Sequence, residues 1–226
     1  MRSTGADAVR GNPGAGGGAG WAEGGGGPTL FAVTSVRDGL AFQPGATEVF
    51  GEVAAAVLGP GRHRAVDLVD LLDGLVPVPV DVVRSGDDLL PRLAHDNTLT
   101  AALTRACRSL TPGGLLIAAV PELDRLGPLR PTAPPPRVTG QGQDRQVTVQ
   151  LWDWADDGSS YGLEVVQLVR GQSGWEVASS VSTRHQVLGA EDMERVLAEA
   201  GFVAVQRLAP KDTGHPLPLW VAAAPR

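Results

Sequence analysis

The sequence predicts an α/β fold that carries an antiparallel β-meander, on three observations. Asn97 to Val120, NTLTAALTRACRSLTPGGLLIAAV, reads as an amphipathic helix, a proline-glycine turn and a buried strand. Helix-then-strand alternation recurs on both sides of it, over 47–69 and 190–208. Three alternating apolar runs separated by Asp/Gly turns fill the interval 146–187.

Taken in order, residues 1–28 hold most of the glycine clusters, as in GAGGGAG and EGGGGP, with few apolar residues beyond Trp21. Such a segment buries too little surface to offset its ordering entropy, so it is expected to be a disordered tail before a domain over 29–226. GAGGGAG is no phosphate-cradling loop, because neither a strand before it nor a helix after it is readable. Thr47 to Leu58 places Val49, Phe50, Val53, Ala54, Val57 and Leu58 at helical spacing, and the GPG at 59–61 ends that helix. Ala65 to Val69, AVDLV, is expected to be a buried strand carrying Asp67, and VPVPVDVV at 76–83 another.

In the central unit, Leu99, Ala102, Leu103, Ala106, Cys107 and Leu110 draw one apolar stripe, with Asp96, Asn97 and Thr98 as N-cap candidates. Thr111 to Gly114 form the turn, and Leu115 to Val120 suit a strand buried on both faces. The Pro-rich stretch from Pro121 to Arg145 is expected to be a loop lying over a site. QVTVQLWDW at 146–154, YGLEVVQLVR at 161–170 and GWEVASSVSTRHQV at 174–187 then make a three-stranded meander through the turns ADDGSS and GQSG. Ala190 to Ala200 is a helix with Met193, Val196, Leu197 and Ala200 inward, and two strands, FVAVQRLAP and PLPLWVAAAP, close the chain.

SLTPGGLLIAAV resembles the LxPGGxLL segment that precedes the fifth strand of class I S-adenosylmethionine-dependent methyltransferases. The order of elements is similar too, including the ending: helix, AGF, strand, glycine-containing loop, antiparallel last strand. QLWDW, DDGSSYGLE, GWEV and STRHQVL followed by LAEAGF look most like the branch containing glycine and sarcosine N-methyltransferases. The resemblance implies a Rossmann-like sheet with the meander inserted after the fifth strand, S-adenosylmethionine as cofactor, and methyl transfer to a small-molecule acceptor. It carries cofactor contact to Asp67 and, through a segment similar to GNxLPHL, to Ser85, Gly86 and Asp87. It makes Arg137, Trp152, Trp154, Tyr161 and Arg184 candidates for the acceptor side, the arginines by their fork-shaped fit to a carboxylate. Each of these residues is equally readable as core packing or a surface ion pair.

The resemblance departs from the family pattern at one place. After Asp67, Val69, Leu71 and Asp73 stand where family glycines let backbone approach the cofactor, and only Gly74 remains. Asp70 to Val80 is also too short to hold two βαβ units, which need roughly 60 residues. The second and third strands, with the acidic residue that would hold the cofactor ribose, are therefore expected to be missing. The sheet would be truncated, AVDLV would become an edge, and two copies could pair there as a homodimer. A non-catalytic binding or oligomerisation module descended from a methyltransferase is the alternative function.

Composition narrows the remaining classes. The formal net charge is -6 and the arginines are scattered, which disfavours nucleic acid as partner. The lone Cys107 allows no internal disulfide, and His63, His95, His185 and His215 show no ligand spacing, so no metal is expected. No GxSxG elbow marks a serine hydrolase. With no long apolar run for a membrane span and no signal-peptide core, a cytoplasmic protein is expected.

Overall fold

The structure is a computed structural model and describes residues 46–86, 88–126, 129–171 and 173–226. The expected tail over 1–28 and the candidate Asp87 lie outside the described residues. Helix α1 (Ala46–Leu58) leads to β1 (Ala65–Asp67), α2 (Leu68–Leu72) and β2 (Val80–Ser85). Helices α3 (Leu89–His95) and α4 (Leu99–Ser109) follow, then β3 (Leu110–Ala119). After β4 (Arg137–Thr139), the long strands β5 (Gln146–Trp154), β6 (Ser160–Arg170) and β7 (Trp175–Gln186) come in succession. Helix α5 (Ala190–Glu199), β8 (Val203–Leu208), the single turn α6 (Pro210–Thr213) and β9 (Leu219–Ala223) end the chain.

The first sheet has the order β1-β2-β3-β9-β8. Strands β1, β2 and β3 are parallel, and β9 enters antiparallel between β3 and β8. Alternation along β3 sorts the core into two layers. Leu115, Ile117 and Ala119 meet Phe50, Val53 and Ala54 of α1 on one face. Leu116 and Ala118 meet Leu99, Leu103 and Ala106 of α4 and Met193 and Leu197 of α5 on the other. Burying each of these leucines contributes about 2 kcal/mol, so the central stripe anchors the domain.

Several boundaries differ from the sequence expectation, each for a local reason. The strand expected over 65–69 stops at Asp67, because Leu68 and Leu71 turn inward as the buried positions of α2. The strand expected over 76–83 starts at Val80, after Pro77 and Pro79, which lack the N–H a ladder needs. The turn at Thr111–Gly114 is absorbed into β3: Val80 pairs with Leu110 and Val82 with Leu115, so it bulges out of the ladder. Gly113 takes φ 75° there, and a Cβ on Gly114 would meet the Asp81 carbonyl at 2.9 Å, which explains both glycines. Thr98 is the N-cap residue of α4 by position, but its hydroxyl turns back to donate to the Leu93 carbonyl.

Between Asp67 and Val80 the chain makes only α2, and among the described residues no further strand stands outside β1, so the sheet there is truncated as expected. The second sheet, β4-β5-β6-β7, is antiparallel throughout. It has one strand more than expected, because Arg137–Thr139 of the Pro-rich stretch adds to the β5 edge. Among the described residues no helix is long and apolar enough to cross a membrane.

Candidate functional site

Open α/β sheets bind ligands outside the carboxyl ends of their parallel strands, which here are Asp67 on β1, Ser85 on β2 and Ala119 on β3. Asp67 is held by the neighbouring strand: Arg84 reaches it at 3.1 Å. Ser85 is buried and its hydroxyl donates to the carbonyl of Gly86 at 3.3 Å, while a Cβ on Gly86 would meet open space. Asp88, also buried, precedes α3.

Beyond Asp67 the cofactor cradle expected of the fold is filled. Leu68 and Leu71 of α2 are 0% and 2% exposed, and Arg105 of α4 donates to the Leu72 carbonyl at 2.9 Å, pinning the helix end. Packed over its own buried leucines, this backbone does not admit a ligand as closely as glycines at these positions would. The residues present therefore fit S-adenosylmethionine at the β2 side, through the open backbone at Gly86, and do not fit it at the β1 side.

The meander supplies the acceptor candidates. Its strand register sets Trp154 opposite Tyr161, and Tyr161 opposite His185, on one face of the sheet. These rings stack: Trp152 on Tyr161 at 4.8 Å between centroids, and Tyr161 on His185 at 4.9 Å with planes 12° apart. Leu123, Leu163 and Val165 complete this small core. The Pro-rich stretch docks on it, with Trp154 Nε1 donating to the Pro131 carbonyl at 2.8 Å and Arg130 donating to the carbonyls of Ala155 and Asp156.

His185 is the residue that sequence reading missed. It is fully buried, and neither ring nitrogen has a hydrogen-bond partner among the described residues. Burial pushes its pKa down; Asp88 and Asp96 oppose that shift, while Arg92 and His95 add to it. Pairing β6 with β7 across the GQSG turn would have aligned it with Tyr161, but without a fixed register its alternation was unreadable.

A cleft of about 440 Å³ lies along the proximal end of the meander. Four acceptor candidates, Trp152, Trp154, Tyr161 and Arg184, line it, and His95 reaches in from the end of α3. Because side chains alternate, the rings of Trp152, Trp154 and Tyr161 belong to the opposite face, and the polar lining comes from Asp153, Glu164, Ser182 and Arg184. Arg137 stands apart on β4, in register with Thr148. Among the described residues no cluster of His, Cys, Asp or Glu could hold a metal ion.

This arrangement, three parallel strands continued by an antiparallel pair with a β-sheet inserted before α5, is the class I methyltransferase fold without, among the described residues, its second and third strands. No protein-family profile and no curated protein sequence matches the chain, but solved structures do. A sugar N-methyltransferase from a Streptoalloteichus species is similar at 20% identity and TM-score 0.54, over 67% of this chain and 58% of its own. An amino pentose methyltransferase from Micromonospora echinaspora, involved in calicheamicin biosynthesis and solved with S-adenosylmethionine bound, is similar at 18% identity and TM-score 0.51, over 66% of this chain and 60% of its own. An S-adenosylmethionine-dependent methyltransferase from Clostridium acetobutylicum gives 10% identity and TM-score 0.50, over 67% and 61%. The chain thus spans about three fifths of the length of the structures it matches.

Proposed function

We propose that this chain carries out S-adenosylmethionine-dependent methyl transfer to a small polar acceptor held in the meander cleft. The observation that supports this reading is the juxtaposition made by α3. That helix starts four residues after Ser85 and ends at His95 in the cleft wall, so a span of about 10 Å connects the cofactor end of β2 to the acceptor residues. The bound cofactor supplies a methyl group on a sulfonium, already a good leaving group. The chain's own part is orientation and exclusion of water: Arg184 for an acidic group, Asp153 and Glu164 for a basic one, and the Gly86 backbone for the cofactor side. No dedicated acid or base is required, and none is assigned.

One observation favours a second reading, a non-catalytic binding module: α2 closes the β1 side of the cofactor cradle. Calorimetric titration of the folded chain with S-adenosylmethionine and S-adenosylhomocysteine separates the two. Saturable micromolar binding of both supports the enzyme, and a Gly86→Val change should then weaken it at least tenfold. No heat from a chain that circular dichroism shows to be folded sinks the enzyme and leaves the module.

A further inference from the structure

We infer that the open edge of β1 is where two copies of this chain pair, strand against strand. The Val82 N–H donates to the Arg64 carbonyl at 3.1 Å, so Arg64 and Val66 direct their backbone groups to β2. Alternate residues of a parallel ladder face opposite ways, and Ala65 and Asp67 therefore turn theirs away from β2. Among the described residues no strand lies on that side. The Asp67 carbonyl is taken up by the first turn of α2, for which Asp67 is the N-cap residue. What the edge offers is the Ala65 N–H and carbonyl, the Asp67 N–H and, by the same alternation, the His63 carbonyl.

These groups fit a second copy in one register. Antiparallel pairing that sets Ala65 opposite the partner's Ala65 exchanges two N–H···O bonds between the alanines, and each Asp67 N–H then reaches the partner's His63 carbonyl. Charge selects the same direction. Arg62 and Arg64 stand at one end of the edge, and Asp67, Asp70 and Asp73 follow at the other. Reversed strands lay each basic end along the partner's acidic end, whereas parallel ones would set like charges together. Charges on an edge strand ordinarily repel a second strand; sorted by sign to opposite ends, they instead admit a copy of the same chain running the other way. An isologous contact requires this self-complementarity, and an unrelated partner does not explain it.

Apolar surface borders the same edge. The segment returning from α2 to β2 runs beside it, with the Arg64 side chain donating to the Pro79 carbonyl at 3.4 Å. That segment leaves Leu75 62% and Val78 53% exposed, and Val69 on α2 is also open to solvent. A two-fold axis perpendicular to the sheet joins the two five-stranded sheets into one and keeps both α2 segments on a single face, side by side. A few hydrogen bonds and three apolar side chains per copy fall short of the roughly 1,000 Å² that a stable interface buries. The pair is accordingly weak, with a Kd on the order of tens of micromolar.

Sedimentation equilibrium of the full chain, carried up to several hundred micromolar, tests this with Ala65→Pro and Leu75→Lys as variants. Proline at 65 removes an N–H on the open edge and leaves the ladder to β2, which runs through Arg64 and Val66, intact. Leu75 is exposed, so lysine there should keep the wild-type circular dichroism and melting curve. The expected result is a reversible association with a Kd of tens of micromolar that each variant weakens at least ~10-fold. A wild-type chain that shows no such association overturns the inference. So does an association that a folded Ala65→Pro chain retains at wild-type strength, the result expected if the copies meet through another surface. Should that variant lose its circular dichroism, Leu75→Lys decides alone, in the same sense. Neither cofactor binding nor methyl transfer enters this readout, so the failure of that reading would leave the inference untouched.

Discussion

His185 is the most informative side chain of the molecule. A buried imidazole with two unpaired nitrogens is tolerated only as the neutral form, and burial holds its pKa below that of an exposed histidine. His215 shifts the same way, again through burial, although the hydrogen bond with Leu217 opposes it. Because the unfolded chain takes up protons first, both groups stabilise the fold above the ordinary histidine pKa of about 6.5 and lose that contribution as pH falls toward their folded values. Urea unfolding should therefore show a lower midpoint at pH 5.5 than at pH 7.5. The His185→Phe variant, which keeps the stack on Tyr161 and removes the orphaned nitrogens, should be at least as stable at pH 7.5 and lose less on acidification. Asp67 is the opposite case. Its pair with Arg84 is half-exposed, so Asp67→Asn should cost less than about 1 kcal/mol by urea unfolding, and any loss of cofactor binding would then report on the site itself.

Among the elements, α2 decides how the parallel edge behaves. Five residues that the motif resemblance sets at the place of a cofactor loop form a helix whose leucines belong to the main core. Leu71→Ala should cost about 2–4 kcal/mol in chemical unfolding, the cost of a cavity; a loop residue would show almost nothing. The bulge in β3 makes a complementary point. Its PGG was readable as a turn, yet its role is to let the chain step out of and back into one ladder beside Asp81, which a hydropathy pattern cannot distinguish from a helix-to-strand connection. Strand β4 was unreadable for a related reason: three exposed residues after a proline run have no alternation of their own, and only the unpaired edge of β5 makes them a strand.

At the scale of the whole molecule, the meander and the parallel sheet divide the work. The sheet and its helices hold the main cores, and the meander carries a core of its own on one face and, among the described residues, an exposed apolar row on the other. The cleft, the aromatic stack and the outward valines are products of that single four-stranded sheet.

The order of elements and the α/β class are legible in the chain alone, because helical and alternating periodicities are local properties of the amphipathic stripe at 99–110 and the runs at 146–187. The missing strands are legible too, since the eleven residues from Asp70 to Val80 cannot hold two crossovers whatever their surroundings. Tertiary structure decided the rest. Whether Leu71 bends away from a ligand or into a core, whether Trp154 points to the cleft or to Tyr161, and which valines stay uncovered all depend on register. Register is set between segments far apart in the chain, and a shift of one residue turns every side chain of a strand to the other face.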